Sequence, residues 1–311
     1  MRRILSIDGG GIKGVFPASF LASLEDAIGD RIANYFDLIV GTSTGGIIAL
    51  GLGMGLTAKE ILSFYESEGQ KIFRQTPILS NLKRIGSAKY SAKPLQKALE
   101  STFGDKRLWE SKVRLVIPAM NIDTGEVHVF KTPHKPNYIR DYTERAVDVA
   151  LGTAAAPTFF RTHVTNSGTP IIDGGVWANN PVGVAVVEAI GVLNWPRDEL
   201  KVLSLGCTST PIHVGVARFL PMGIGYWGPR ITEVFMAGQS SQALGTASLL
   251  AGSENLIRIS PTVPNKYSLD GIKEIRSLMG LGKTEASKTF RNLDAVFFTE
   301  HAEPFVPFRT M

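Results

Sequence analysis

Cysteine is nearly absent from the 311-residue sequence, which contains only Cys207. A single thiol cannot form an internal disulfide, so a disulfide-stabilised fold is excluded and no oxidising compartment is indicated. Cys207 ends a strand-like apolar run, where a buried and unreactive thiol is the expected state. The histidines and carboxylates show no spacing typical of metal ligands, and we predict neither a metal nor another cofactor.

Long apolar runs are missing as well. The longest one, TGGIIALGLGMGL, is rich in glycine and shorter than the roughly 18 residues expected of a membrane-spanning helix. The apolar stretch before Asp8 is too short for the core of a signal peptide. We therefore expect a cytoplasmic protein without a transmembrane anchor.

Charge of one sign is not concentrated anywhere in the chain. The formal net charge of +5 comes from scattered lysines and arginines, and charged residues make up only 20% of the sequence. Without a dense basic block, a nucleic acid polymer is not an expected partner. The mild positive excess is equally compatible with an ordinary solvated surface and with peripheral contact to an anionic membrane.

Strand-like and helix-like segments alternate along most of the chain. Short apolar runs such as RRILSID, YFDLIVG and KVLSLGC alternate with longer segments of helical periodicity, and two further strands flank the turn DTGE. This alternation predicts an α/β fold with a mostly parallel central sheet and helices on both faces. No repeat or linker is visible. We predict a single domain over residues 1–311, which helices at about 229–300 complete.

The first candidate for chemistry is Ser43, in the turn GTSTG between the strand YFDLIVG and an apolar helix. A serine hydroxyl becomes a useful nucleophile only when it is exposed, oriented and next to a base. A sharp strand-to-helix turn exposes it, and Gly41 and Gly45 allow the backbone to turn that tightly. The helix N-terminus that follows favours developing negative charge. The alternative is a Gly/Ser turn without chemistry.

The second candidate is the glycine loop DGGGIKG, which also joins a strand end to a helix start. Successive glycines can direct several main-chain amides into one concavity, and such a nest suits the oxyanion of acyl transfer. We predict oxyanion contacts from Gly9, Gly10 and Gly11. Lys13 could add positive charge there, although a solvated surface lysine is an equal alternative.

Dinucleotide binding is the rival interpretation of this loop, because Gly9, Gly11 and Gly14 also satisfy the pattern G-x-G-x-x-G. A dinucleotide site needs an acidic residue about 20 residues further on, at the end of the second strand. The serine turn occupies that strand end instead, and neither Asp30 nor Asp37 fits the position. Acyl chemistry is therefore the favoured interpretation.

The third candidate is Asp173, in the segment TPIIDGG, where it ends a strand and is followed by Gly174 and Gly175. A carboxylate at this end of a strand points into the crevice where α/β proteins bind ligands. There Asp173 could accept a proton from Ser43 and act as a general base. Asp-Gly is also a common turn, so the prediction depends on the presence of the other two motifs in the same sequence.

Together, DGGGIKG, GTSTGG and DGG resemble the patatin-like phospholipase family, which has these three motifs in this order. ALGTAAAPTFF is similar to a further stretch of the family. The resemblance is specific over about residues 1–190 and implies a three-layer patatin-like fold, a Ser43–Asp173 dyad and oxyanion contacts from Gly9, Gly10 and Gly11. It also implies a lipid ester as substrate and no metal.

The resemblance extends to short bacterial members of anti-phage defence systems, in which a cyclic oligonucleotide switches on degradation of membrane phospholipid. It implies that this chain could have such an activator and act peripherally on the inner face of the membrane. Homo-oligomers are compatible with this interpretation. Two stretches could contribute to lipid contact, namely the apolar residues 219–227 and the basic residues 71–93.

Three alternatives stay open at this point. An acyltransferase would use the same dyad, with an alcohol in place of water. A nucleotide-binding module would use the glycine loop without hydrolysis. A hidden triad would add a histidine to the dyad, and His213 or His301 would suit the chain order of ordinary α/β-hydrolases.

Overall fold

The computed structural model describes residues 1–73, 88–210, 221, 223–227, 230–263 and 267–310. Within this part of the chain, the centre is an eight-stranded sheet with the order β5-β6-β3-β2-β1-β7-β8, and β4 pairs with β3 outside this path. The strands are β1 (Arg2–Ile7), β2 (Leu38–Gly41), β3 (Arg114–Asn121), β4 (Glu126–Lys131), β5 (His163–Val164), β6 (Pro170–Asp173), β7 (Leu200–Leu205) and β8 (Leu256–Ile259).

Helices cover the sheet on both faces. They are α1 (Val15–Ile28), α2 (Thr44–Gly53), α3 (Ala58–Ile72), α4 (Lys93–Phe103), α5 (Ala146–Thr153), α6 (Gly175–Ala178), α7 (Val182–Val187), α8 (Ile224–Trp227), α9 (Ile231–Ala251) and α10 (Ile275–Phe297). A π-helical turn, Glu188–Val192, continues α7.

The two faces of the sheet have separate apolar cores, because successive side chains of a strand point to opposite sides. Leu5 and Ile7 of β1 belong to the larger core, which α1, α2, α3, α4, α5 and α10 cover. Ile4 of the same strand belongs to the smaller core, which α7 and α9 cover. The sheet is thus the middle one of three layers, as the sequence predicts.

The sheet is mostly parallel, and this prediction is also confirmed. The strands β3, β2, β1, β7 and β8 run in the same direction, whereas β4, β5 and β6 form an antiparallel extension. β3 is longer than β2, and its last residues, Ala119 to Asn121, pair with β6. Because of this extension, β6 approaches from the opposite direction and still ends at the edge where β1 and β2 end.

Pro94 lies in the first turn of α4, where a proline leaves no required amide unsatisfied. Helix α1 is buried along nearly its whole first half, where it packs against α3 and α10. Among the described residues, no helix is both long and apolar enough to cross a bilayer.

Candidate active site

A cavity of about 580 Å³ lies at the strand-end edge of the sheet and contains both Ser43 and Asp173. Its inner end is formed by buried apolar residues of α2, α3 and α4, among them Ile47, Tyr65 and Leu95. Its outer end is formed by exposed residues, including Val176 and Phe235. The cavity therefore leads from the surface, past the serine, into an apolar interior of the kind that holds a hydrocarbon chain.

The serine turn has the strained geometry of a nucleophile elbow. Ser43 has φ 55° and ψ −122°, a backbone conformation that residues other than glycine rarely adopt. The surrounding structure holds it there, because the Ser43 amide donates to Thr153 Oγ1 at 3.0 Å and Thr153 donates onward to the Pro118 carbonyl at 2.6 Å. Helix α2 begins at the next residue.

The motif glycines are needed because the chain approaches itself very closely here. A Cβ atom at Gly41 would collide with the Gly45 carbonyl, and one at Gly45 would collide with the Ile7 carbonyl. A Cβ atom at Gly14 would meet the Thr44 hydroxyl, so the glycine loop and the serine turn are in direct contact. A Cβ atom at Gly174 would meet the Pro118 carbonyl.

Asp173 ends β6 and is buried, with 5% of its surface exposed. Its Oδ1 atom accepts the Gly175 amide at 2.6 Å, and its carboxylate interacts with the Ser43 hydroxyl. Burial raises the pKa of Asp173 to about 6, and the hydroxyl and the amide oppose this shift only in part. Such a group is ionised at neutral pH and still basic enough to take a proton.

The glycine loop presents two of its amides without an acceptor among the described residues. The Gly9 amide donates to the Asn179 carbonyl at 2.9 Å, and the Ile12 amide donates to the Leu269 carbonyl at 2.8 Å. The residues between them, Gly10 and Gly11, line the cavity. These two amides can donate hydrogen bonds to an oxyanion, whereas the Gly9 amide already donates to Asn179.

Lys13 does not line the cavity. Its amide donates to the Gly10 carbonyl at 3.1 Å, which closes the short helical turn Gly11–Gly14. Its charge acts on Asp8 and Cys207. Lys13 can therefore influence the loop electrostatically without lining the cavity.

The first residue of this loop, Asp8, belongs to a buried ion pair that the sequence does not reveal. Asp8 forms two hydrogen bonds with Arg258 of β8, at 2.7 and 2.5 Å, and Arg258 also donates to Ser204 at 2.8 Å. Burial lowers the pKa of Arg258, but the charge of Asp8 outweighs burial and holds this pKa above its usual value. The pair connects β1 to β8 across β7.

Cys207 lies under the same loop. Its thiol is 3% exposed and faces the Asp8 carbonyl at 3.4 Å. Burial raises the pKa of Cys207 to about 12, so the thiolate does not form near neutral pH. The expected buried and unreactive thiol is what the structure contains.

Further polar residues around the site carry no sequence signal of their own. Thr44, directly after the serine, shares a 2.6 Å hydrogen bond with Tyr65 of α3, and burial keeps this tyrosine neutral by raising its pKa. Asn179 connects the glycine loop to α9. Its main-chain carbonyl accepts the Gly9 amide, and its main-chain amide donates to Gln239 Oε1 at 2.8 Å. Only the three-dimensional packing reveals these contacts.

The described histidines do not belong to the cavity. His301 contacts Asp30 at 2.7 Å, near the end of α1, so it does not complete a triad. His213 lies outside the described residues. The other three pair with acidic residues elsewhere: His128 with Asp141, His134 with Glu188 and His163 with Asp148.

The two stretches expected to contact lipid are described only in part. In the basic stretch 71–93, residues 74–87 lie outside the described residues, while Ile72 and Phe73 line the cavity. In the stretch 219–227, the described residues 221 and 223–227 do not line it. Ile224 of α8 is 90% exposed.

Comparison with known proteins places this site in a family. A model of patatin-like phospholipases matches residues 5–186, which contain the glycine loop, the serine turn and Asp173. A cGAMP-activated phospholipase of Vibrio cholerae is 31% identical over 340 residues, covering 97% of this chain and 96% of that protein. A protein of the same name from Pseudomonas aeruginosa is 35% identical, covering 92% of this chain and 85% of that protein. One from Escherichia coli is 31% identical, covering 97% of this chain and 94% of that protein.

The matched motifs surround one cavity, and the similarity to these relatives extends over almost the whole length of the chain. The chain belongs to the patatin-like phospholipase family of lipid acyl-hydrolases.

Proposed function

We propose that this enzyme hydrolyses fatty acyl esters of membrane phospholipids, with Ser43 as nucleophile and Asp173 as general base. The observation that carries the proposal is the pairing inside the cavity. A serine on a strained turn interacts with a buried carboxylate whose pKa is about 6, and both face an apolar interior. This combination supplies a hydroxyl, a base and space for an acyl chain.

The reaction follows from these positions. Asp173 takes the proton of Ser43 Oγ while the oxygen attacks the ester carbonyl, and the amides of Gly10 and Gly11 donate hydrogen bonds to the oxyanion that develops. The Thr44 amide, next to the nucleophile, is a further candidate donor. Asp173 then protonates the departing alcohol. Water repeats the sequence on the acyl-enzyme and releases the fatty acid.

Covalent labelling tests the proposed nucleophile. We expect a fluorophosphonate probe to label the wild-type protein at Ser43, and labelling to disappear in Ser43→Ala. Asp173→Asn, which keeps the size of the side chain, should slow labelling at least about 100-fold, because a general base contributes roughly 10²–10⁴-fold. Equal labelling of Ser43→Ala would refute the proposal.

Product analysis separates hydrolysis from acyl transfer by the same dyad. With bacterial phospholipids as substrate, we expect free fatty acid and lysophospholipid from the wild type. An acylated alcohol as the main product, formed from a second lipid or from an added water-soluble alcohol, would favour the acyltransferase alternative instead.

Regulation by a cyclic oligonucleotide is the second part of the proposal. Three relatives, each 31–35% identical to this chain, are named cGAMP-activated phospholipases. An uncontrolled phospholipase would degrade the membrane of its own cell, and an activator would restrain it. We expect cGAMP to raise both the hydrolysis rate and the melting temperature. If titration with cyclic di- and trinucleotides changes neither, this part is wrong.

The enzyme would work as a peripheral protein on the inner face of the membrane. The exposed apolar side chains at the cavity mouth support such contact. A homo-oligomeric state stays a prediction.

A further inference from the structure

Gln239, on the inner side of α9, has a side chain that is only half satisfied. It lines the same cavity as Ser43 and Asp173. Its Oε1 atom accepts the Asn179 amide at 2.8 Å, whereas its Nε2 atom is buried and has no acceptor in the part of the chain that the structure describes. Gln239 thus lines the cavity while its Nε2 donor has no acceptor among the described residues.

The orientation of this amide is set by its partner. A main-chain N–H can only donate, so the carbonyl oxygen of Gln239 must face Asn179 and the NH₂ group must point away from it. A buried donor without an acceptor destabilises the fold. Helix α9 therefore carries, beside the cavity, a polar group that no described residue satisfies.

The charges around the cavity indicate which ligand atom fits. No lysine or arginine is found among its described lining residues, and Asp173 is its only carboxylate. A phosphate brought beside an ionised carboxylate without a cation would be strongly disfavoured. A neutral oxygen acceptor avoids this repulsion, and an acylglycerol offers such oxygens in its second ester and its glycerol backbone.

We propose that Gln239 Nε2 donates to a neutral ester or glycerol oxygen of the substrate and thereby orients the acylglycerol beside Ser43. This inference rests on the proposed function, because it assigns a contact within the same site. Gln239 would be a specificity-determining residue that recognises the part of the lipid that does not react, while the phosphate stays at the mouth of the cavity.

The test compares three substrates that carry the same acyl chain: a diacyl phospholipid, a diacylglycerol and a 4-nitrophenyl ester, all in detergent micelles. Gln239→Glu keeps an oxygen for the Asn179 amide but removes both donors, and Gln239→Met removes the donors without adding charge. Gln242→Glu is the matched control, because it adds the same charge to an exposed position of the same helix.

We expect both Gln239 variants to lower kcat/KM about 10- to 100-fold on the phospholipid and the diacylglycerol, the range for one lost hydrogen bond to a buried donor. On the 4-nitrophenyl ester, which has no glycerol and no second ester, both variants should stay within about twofold of wild type. Gln242→Glu should match wild type on all three substrates.

Three outcomes would overturn the inference. An equal loss on all substrates would mean that Gln239 acts on the reacting carbonyl or on the fold. A loss on the phospholipid alone would identify the phosphate as the acceptor, and no loss on any substrate would leave the donor without a role. If the wild type hydrolyses none of the three, with or without cGAMP, the proposed function itself fails, which this design distinguishes from a failure of the Gln239 contact.

Discussion

At the scale of single residues, burial gives the proposed base Asp173 a pKa like that of the histidine in an ordinary hydrolase. A solvated aspartate is too weak a base to take a proton from serine. Burial at the end of β6 raises the pKa of this carboxyl to about 6, close to that of imidazole. One titrating group in the cavity can then act as base in the attack and as acid for the departing alcohol, in the role that histidine has in a triad.

The pH dependence of the reaction should report this group. We expect kcat/KM on a neutral ester to be level above about pH 7 and to fall about tenfold per pH unit below pH 6, because only the ionised Asp173 is a base. Rates measured from pH 4.5 to 8.5 with a single neutral substrate check this. A profile that stays flat down to pH 5 would show that Asp173 does not limit the reaction.

The same pKa shift predicts that the ionised Asp173 carboxylate lowers the stability of the fold. The pKa of Asp173 is higher in the folded than in the unfolded chain. The contribution of this carboxyl to the free energy of unfolding is therefore fully present below about pH 3.8 and is lost as the pH rises through about 6. Asp173→Asn cannot ionise, so at pH 8 we expect it to be more stable than wild type by up to about 3 kcal/mol.

Urea unfolding at pH 8 and pH 4 measures this difference in the free energy of unfolding. The advantage of Asp173→Asn should shrink towards zero at pH 4, where the wild-type carboxyl is largely protonated. Ser43→Ala serves as the control, since it keeps the titrating group. An advantage of the same size at both pH values would point to a cause other than ionisation.

The sequence predicts residues that lie in local motifs and misses those defined by tertiary contacts. Ser43 and the glycines around it are recognisable because a strand-to-helix turn has its own sequence requirements. Arg258 and Gln239 lie in ordinary strand and helix segments, and only packing brings them to the site. The engagement of the Gly9 amide is equally invisible, because its acceptor lies 170 residues away.

At the scale of elements, the site forms where strand ends meet. β1 and β2 are neighbouring parallel strands, so the glycine loop and the serine turn follow at the same edge. The alternating pattern of the sequence predicts this much. It does not predict that β6 enters antiparallel, because an apolar run has the same composition in either direction. Pairing with the long end of β3 decides its direction.

The Asp8–Arg258 pair should hold the glycine loop in place between these elements. Removing one partner leaves a buried charge without compensation, so we expect Arg258→Met to lower the free energy of unfolding by about 3–5 kcal/mol. Chemical denaturation measures this loss. Lys288→Met breaks the exposed pair with Glu285 on α10 and should change stability by less than about 1 kcal/mol.

A double variant tests whether the loss comes from the unpaired charge. Asp8→Asn combined with Arg258→Met removes both charges, and we expect it to recover a large part of the stability lost in Arg258→Met. If the double variant is as unstable as the sum of the two single ones, the two side chains act independently and the ion pair does not anchor the loop.

At the scale of the whole molecule, the cavity opens where apolar side chains are exposed. Phe235 of α9 is 68% exposed and Val176 of α6 is 47% exposed, and both line the mouth. Large apolar groups around a cavity that accepts lipid are typical of a membrane contact site. A formal charge of +5 adds a general attraction to anionic lipid.

Vesicle experiments can separate this contact from catalysis. Phe235→Glu replaces an apolar group that would enter the interface with a charge, and burial of one such side chain contributes about 1.5–3 kcal/mol. We expect at least about tenfold weaker binding to vesicles of phosphatidylethanolamine and phosphatidylglycerol, and a matching loss of hydrolysis on them.

Leu249→Glu is the control, because Leu249 lies on the same helix, is 78% exposed and does not line the cavity. Activity on a monomeric short-chain ester should stay near wild type in both variants, since such a substrate reaches Ser43 without a bilayer. If Leu249→Glu weakens vesicle binding as much as Phe235→Glu does, the added charge and not the cavity mouth governs the contact, and the membrane must approach the enzyme from another side.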